Sequence, residues 1–241
     1  MSHNFSAQPF WSWILTPSWS LGVEAHFYLL WPLLILRLPR HHLGNVFIAI
    51  TLGLPALKML ALQQMPIEGL IYHVTPFRLD DFAAGAFVAW AQLHPERFSP
   101  GNLRRLSWVL SPLAFIGLGL LAWMDPVAPL LGITHPGLAV GGFSLLALGF
   151  GGWLGLAITG LPKGLQKLLS HPLAVWIGRI SYGLYLLHML GFMVMSVLLH
   201  EQGITHPWIH VPAMFLAAIG LGAASWYGLE RPFLRRGRTD G

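Results

Sequence analysis

Seven long apolar stretches dominate the chain. They lie at about residues 20–37, 43–62, 74–93, 106–124, 138–160, 174–199 and 208–229. A helix that crosses a bilayer needs roughly 20 mostly apolar residues, and strand-like alternation over barrel-length segments is not seen. The pattern predicts an all-α fold, a polytopic transmembrane helix bundle of about seven spanning helices. We expect residues 1–241 to form a single transmembrane domain.

The composition agrees with a membrane protein. Of the 241 residues, 55% are hydrophobic and only 10% are charged, whereas soluble domains average about 25% charged residues. These values exclude a disordered chain, a soluble enzyme, and a nucleic-acid-binding domain with a basic face. Because the chain has no cysteine, disulfides, thiolate metal sites and a cysteine nucleophile are excluded as well.

The basic residues predict how the helices are oriented. The chain carries 14 Lys and Arg residues, and all except Lys58 and Arg78 fall at alternate connections, at the edges of the adjoining stretches, or in the C-terminal tail. By the positive-inside rule, the N-terminus is external and the C-terminus is cytoplasmic, with a basic cytoplasmic tail over residues 230–241. Lys58 lies within a span and is expected to extend its ammonium group towards the interface.

A carboxylate stands inside the first apolar stretch. Glu24 shares a helix face with Tyr28 and Trp31, and Trp19 flanks it on the external side. One interpretation is a functional acid in a polar pocket. The other is a carboxylate that stabilises the positive end of the helix dipole.

The third stretch opens with ionisable residues. Arg78 and Asp81 are three positions apart and can pair on one helix face, while Asp80 lies off that face. The pair is either a structural ion pair at the membrane interface or the polar wall of a cavity open to the external side.

The sixth stretch carries a histidine near its centre. His188 shares a face with Ser181 and Tyr185, and it is either a catalytic group or a hydrogen-bonded packing residue. No histidine shows the spacing of a metal ligand, so no metal site is predicted. Ser144, in a glycine-rich stretch, offers the remote alternative of an intramembrane serine hydrolase that uses His188.

Small residues predict close helix packing in two spans. Gly151 with Gly155, and Ala218 with Gly222, are spaced four residues apart. A structural role is the favoured interpretation of both pairs.

Four motifs, in order along the chain, resemble those of the acyltransferase family 3 membrane O-acyltransferases. They are PSWSLGVEAHFYLLWPLLI at 17–35, RLDDFAAGAFVA at 78–89, IGRISYGLYLLHMLG at 177–191 and LERPFLRR at 229–236. Together they span almost the whole chain. The resemblance implies an integral protein of a bacterial plasma (inner) membrane.

The resemblance also implies a reaction. Family members transfer an acyl group, usually acetyl from cytoplasmic acyl-CoA (acetyl-CoA), to a hydroxyl of an extracytoplasmic glycan or glycolipid. No bound cofactor is implied. The family's proposed catalytic histidine and its partner arginine lie on a first helix that has no counterpart here. We therefore expect the chain to be the N-terminally truncated, C-terminal part of such an enzyme, with the missing helices possible as a separate chain.

Within that family, the residues above acquire expected roles. Glu24 is expected to support catalysis by orienting the acceptor or tuning the base, and His188 could substitute as the base. The expected substrate-binding residues are Trp19, Tyr28, Arg78, Asp81 and Tyr185. Of these, Arg78 and Asp81 should meet Glu24 at the outer mouth of a pocket, with Tyr185 and His188 deeper. The rival interpretation is a non-catalytic seven-helix transporter or accessory membrane protein of polysaccharide export.

Overall fold

A computed structural model describes residues 18–63, 75–124 and 138–236, and every regular element in these ranges is helical. The longer helices are α1 (Ser18–Arg37), α2 (Arg40–Leu62), α3 (Leu79–Leu93), α4 (Pro100–Met124), α5 (Phe143–Thr159), α7 (Pro172–Glu201) and α8 (Pro207–Ser225). Two short helices, α6 (Lys163–Leu169) and α9 (Arg231–Arg236), accompany them. A 3₁₀ turn, Thr75–Arg78, leads into α3, and π-helical turns cover Leu138–Gly142 and Trp226–Glu230.

The helix ends follow from local sequence. Pro172 and Pro207 stand at the first positions of α7 and α8, where the missing N–H group costs no helical hydrogen bond. Gly160 ends α5 with φ of 115°, and Gly203 follows α7 with φ of 71°. Glycine adopts this left-handed backbone conformation without the steric penalty of a Cβ atom.

Five helical segments within the described residues are long and apolar enough to cross a membrane. They are Arg40–Leu62, Pro100–Met124, Val140–Thr159, Pro172–Glu201 and Pro207–Leu234. The all-helical membrane fold is confirmed to that extent, whereas seven spans and the orientation of the termini remain predictions. The 15-residue α3 rises about 22 Å, less than a bilayer core of about 30 Å.

The described residues divide into two compact units, which are described separately. In the unit Gly22–Pro162, α2 packs on α3, and both α3 and α4 pack on α5. The backbones approach closely where side chains are small. A Cβ atom at Gly44 would lie 2.6 Å from the Trp90 ring, and one at Gly152 would lie 2.8 Å from the Ser111 Cβ atom.

The other unit contains residues 18–21 and 163–236, and the packing of α7 on α8 dominates it. A Cβ atom at Gly191 would lie 2.9 Å from the backbone of Ala218, and one at Gly222 would lie 2.9 Å from the backbone of Leu184. The predicted packing role of Ala218 and Gly222 is therefore confirmed. Gly151 and Gly155 also lie at helix contacts, against Ala84 and Ser107 respectively.

Candidate active site

The 3₁₀ turn before α3 positions the first charged pair. Arg78 ends the turn and Asp81 lies in the first turn of α3, where a carboxylate is favoured by the helix dipole. The Arg78 Nε atom lies 3.2 Å from the Asp81 Oδ2 atom, and both side chains are partly buried. The predicted pairing of these two residues on one face is confirmed.

The Arg78 guanidinium also contacts an aromatic ring of α5. Its Cζ atom lies 3.7 Å from the centroid of the Phe143 ring, which is a cation–π geometry. Arg78, Asp81 and Phe143 line a cleft of about 450 Å³ whose other walls are apolar. Phe150 and Gly85 lie on those walls. The cleft therefore combines one ion pair with two aromatic rings.

A second charged cluster is enclosed between α2, α3 and α5. The Lys58 Nζ atom lies 2.7 Å from the Asp80 Oδ2 atom, and the two side chains are 1% and 0% exposed. The Ser144 hydroxyl donates to the same Asp80 oxygen, and Lys58 Nζ lies 3.4 Å from that hydroxyl. Below, Lys58, Asp80 and Ser144 are called the buried triad.

The buried triad corrects the expectation for Lys58. Its ammonium group does not extend to the interface, because the Asp80 carboxylate holds it inside the helix bundle. Desolvating one charge is costly, and an opposite charge at hydrogen-bond distance offsets part of that cost. The sequence does carry a signal for this pair. A lysine within an apolar helix requires an acidic partner, and Asp80 lies off the face that Arg78 and Asp81 share.

Ser144 lacks the exposure that a hydrolase nucleophile needs. Its side chain is buried, and its hydroxyl is engaged with the Asp80 carboxylate. A nucleophile needs an adjacent base and access to substrate, and the enclosure of Ser144 denies that access.

Helix α1 contacts the start of α3 through residues that the sequence did not single out. The His26 Nδ1 atom lies 2.9 Å from the Thr75 hydroxyl, and the Phe27 ring stacks on the Phe82 ring at 3.9 Å between centroids. Glu24 is half-buried on α1, and Tyr28 is 68% exposed. The side chain of Trp19 lies outside the described residues.

His188 and Tyr185 lie on α7, in the other unit. The His188 Nδ1 atom lies 2.6 Å from the backbone oxygen of Tyr185. Because a carbonyl oxygen can only accept, Nδ1 carries the proton and Nε2 keeps its lone pair in the neutral ring. The Tyr185 hydroxyl is hydrogen-bonded to the Ser20 hydroxyl, and its ring lies 6.0 Å from that of His188.

The last two sequence motifs contact each other in this unit. The Ser225 hydroxyl donates to the Glu230 carboxylate at 2.8 Å, and a Cβ atom at Gly183 would lie 2.8 Å from that carboxylate. Glycine at position 183 thus allows the close approach.

Within residues 18–63, 75–124 and 138–236, no three His, Asp or Glu side chains gather as a metal site would require.

Five helical segments that are long and apolar enough to cross a membrane, together with a charged, aromatic cleft between two helices, indicate an integral membrane protein with a polar site. The chain belongs to acyltransferase family 3, because the family's acyltransferase domain matches residues 2–227. It is 27% identical over 230 residues to the O-acetyltransferase OatA of Staphylococcus aureus strain NCTC 8325. It is 24% identical over 228 residues to SACOL0978 of S. aureus strain COL, which is provisionally named an O-acetyltransferase.

Each of these alignments covers 91% of this chain and 36% of the relative. The chain thus spans about a third of the length of the curated relatives it matches. No solved structure matches the chain significantly.

Proposed function

We propose that this protein is a membrane-bound O-acetyltransferase that transfers an acetyl group from acetyl-CoA to a hydroxyl of an extracytoplasmic glycan. The observation that carries this proposal is the Arg78–Asp81 pair, which lines a cleft beside the Phe143 ring. Membership of the acyltransferase family and the O-acetyltransferase relatives support the reaction class.

The cleft has the chemistry that a polyhydroxylated acceptor requires. A carboxylate accepts hydrogen bonds from hydroxyl groups, a guanidinium donates them, and aromatic rings pack against the apolar faces of sugar rings. Asp81 would orient the acceptor hydroxyl, and Phe143 and Phe150 would bound the sugar. The cleft volume of about 450 Å³ lies within the usual range for small-molecule sites.

The proposed transfer has a defined balance of bonds. The acceptor hydroxyl oxygen attacks the thioester carbonyl, its proton passes to a base, the C–S bond breaks, and the CoA thiolate leaves and is protonated. Negative charge develops on the carbonyl oxygen during attack, and the Arg78 guanidinium is suited to stabilise it. We propose His188 of α7 as a candidate for the base on its own chemistry alone, because its Nε2 atom is in the tautomer that accepts a proton.

Glu24, Trp19, Tyr28 and Tyr185 remain candidates for supporting roles in acceptor binding. The apolar segments and the basic residues on alternate connections favour a plasma (inner) membrane location, with acyl-CoA reaching the protein from the cytoplasm and the glycan from outside.

The experiment is an acetyl-transfer assay. The chain in lipid nanodiscs is incubated with [¹⁴C]acetyl-CoA and peptidoglycan fragments, lipopolysaccharide or exopolysaccharide, and base-labile label in the glycan is counted. We expect ester label with at least one acceptor, and a loss of roughly 10²-fold in rate for Asp81→Asn. The matched control is Glu96→Gln, which alters an exposed carboxylate outside the cleft. No ester label with any acceptor, or equal label from Asp81→Asn, would favour a non-catalytic membrane protein.

A further inference from the structure

Asp80 and Asp81 are adjacent in the chain but occupy different environments. Successive residues of an α-helix point about 100° apart, so one carboxylate enters the bundle and the other faces the cleft. The Asp80 side chain is 0% exposed and that of Asp81 is 29% exposed. The rotation of α3 about its axis therefore decides which carboxylate lines the cleft.

The buried triad links α3 to two other helices. Lys58 comes from α2, Asp80 from α3 and Ser144 from α5. Lys58 Nζ and the Ser144 hydroxyl both contact one carboxylate oxygen, Asp80 Oδ2, and Lys58 Nζ also lies 3.4 Å from the Ser144 hydroxyl. A single anchor of this kind sets the rotation of α3 relative to both of its neighbours.

The anchor is not arranged for the greatest stability. Asp80 Oδ1 is buried and has no hydrogen-bond partner among the described residues. Such an unsatisfied oxygen is costly, and apolar side chains of similar volume often stabilise a protein more than a buried ion pair does. The arrangement is therefore better explained by specificity of position than by stability.

The same turn of α5 supplies the anchor and a wall of the cleft. The π-helical turn Leu138–Gly142 directly precedes Phe143 and Ser144. Phe143 contacts the Arg78 guanidinium, and Ser144 contacts Asp80. A displacement of Ser144 from Asp80 would therefore also displace Phe143 from Arg78.

We propose that Lys58, Asp80 and Ser144 are positioning residues that hold α3 in the rotation at which Arg78 and Asp81 face the cleft. They do not touch the substrate. The expected effect on catalysis rests on the proposed acetyl transfer, whereas the expected effect on the cleft does not.

The absence of cysteine from the chain allows a direct test of the rotation. Gly85 lines the cleft one turn after Asp81, and a Cβ atom there would meet nothing within 4 Å. Gly85→Cys thus introduces a single thiol that reports on the orientation of α3. Its rate of reaction with a water-soluble maleimide is measured in nanodiscs. Gly164→Cys, on exposed α6 with equal space for a Cβ atom, is the control.

The test compares three backgrounds that carry Gly85→Cys. They are the unaltered triad, the apolar pair Lys58→Met with Asp80→Leu, and the exchanged pair Lys58→Asp with Asp80→Lys. We expect the apolar pair to lower the labelling rate by roughly 2- to 30-fold, which is the usual range for a coupling contact. The exchanged pair should restore part of the rate, and labelling at Gly164→Cys should be equal in all backgrounds.

If the triad stabilises the fold without setting the rotation of α3, the labelling rate of Gly85→Cys should not change. The proposal is overturned if the apolar pair, folded as judged by size-exclusion profile and thermal melting, labels Gly85→Cys within twofold of the unaltered background. Acetyl transfer is measured in parallel, without Gly85→Cys, and kcat should fall by roughly 10²-fold in the apolar pair with little change in KM. Altered labelling without acetyl transfer in any background would remove the proposed function and leave the positioning role intact.

Discussion

The Lys58 ammonium group lies 2.7 Å from the Asp80 carboxylate, and neither side chain is more than 1% exposed. The two residues are 22 positions apart and belong to helices that are also joined by apolar contacts among Leu43, Phe47 and Ala83 and by one hydrogen bond from the Trp90 indole to the Arg40 carbonyl. The pair is therefore the main polar link between α2 and α3. Replacing one partner should affect stability differently from replacing both.

Removing one partner of this pair should destabilise the protein more than removing both. Lys58→Met leaves the Asp80 carboxylate buried without its counter-charge, and we expect a loss of roughly 3–5 kcal/mol in the free energy of unfolding. Lys58→Met combined with Asp80→Leu should recover most of that loss. Thermal melting in detergent measures Lys58→Met, Asp80→Leu and the double variant. A loss in the double variant that equals the sum of the two single losses would show that the two charges do not stabilise each other.

The shape of the Arg78 side chain should matter as well as its charge. Arg78→Lys keeps the positive charge but loses the planar group that pairs with Asp81 and stacks on Phe143. Lysine cannot replace arginine at a stacked site without loss, so we expect acetyl transfer to fall by roughly 10²-fold. Arg104→Lys, at an exposed position on α4, should retain the wild-type rate. Full activity in Arg78→Lys would show that only the positive charge is needed at position 78.

His188 is expected to act through its Nε2 atom. His188→Gln removes a group that can accept a proton, and we expect kcat to fall by roughly 10²- to 10⁴-fold if this residue is the base. His200→Gln, at an exposed position near the end of the same helix, is the control. A rate for His188→Gln that matches the control would assign His188 to packing, in line with its contact with the Phe192 ring.

Helix packing in the unit of α7 and α8 should depend on one glycine. In Gly191→Ala the new Cβ atom would lie 2.9 Å from the backbone of Ala218, and we expect a loss of roughly 1–3 kcal/mol from overpacking. Gly178→Ala on the same helix meets nothing within 4 Å, so it should be neutral or slightly stabilising. Thermal melting distinguishes the two variants. A neutral Gly191→Ala would show that α8 can shift away at little cost.

The sequence predicted the contacts that depend on helical spacing alone. Arg78 and Asp81 pair because residues three apart share a helix face, and Ala218 and Gly222 pack because small residues allow close approach. The number of spans was less predictable. Hydropathy alone marked residues 74–93 as one stretch, whereas the helix there begins only at Leu79 after a 3₁₀ turn.

The buried triad could not be predicted from spacing. Its three members come from three helices, so only the packing of those helices brings them together. The sequence showed a lysine in an apolar stretch and two adjacent aspartates, but not which aspartate it would meet. The same holds for Phe143, because nothing local distinguishes it from Phe150, the other phenylalanine of α5, as the ring that contacts the Arg78 guanidinium.

The adjacency of Asp80 and Asp81 places a constraint on chain length. Deleting one residue between Thr75 and Arg78 would move Asp81 to the place of Asp80 and Phe82 to the place of Asp81, so that the enclosed lysine would still meet a carboxylate while the cleft would lose its own. Inserting one residue would move Asp80 to the cleft and leave Leu79 opposite the lysine. Such a change in length preserves net charge and hydropathy, yet the buried triad and the charged lining of the cleft could no longer form together. Natural length variation should therefore be tolerated outside this short segment and rejected within it.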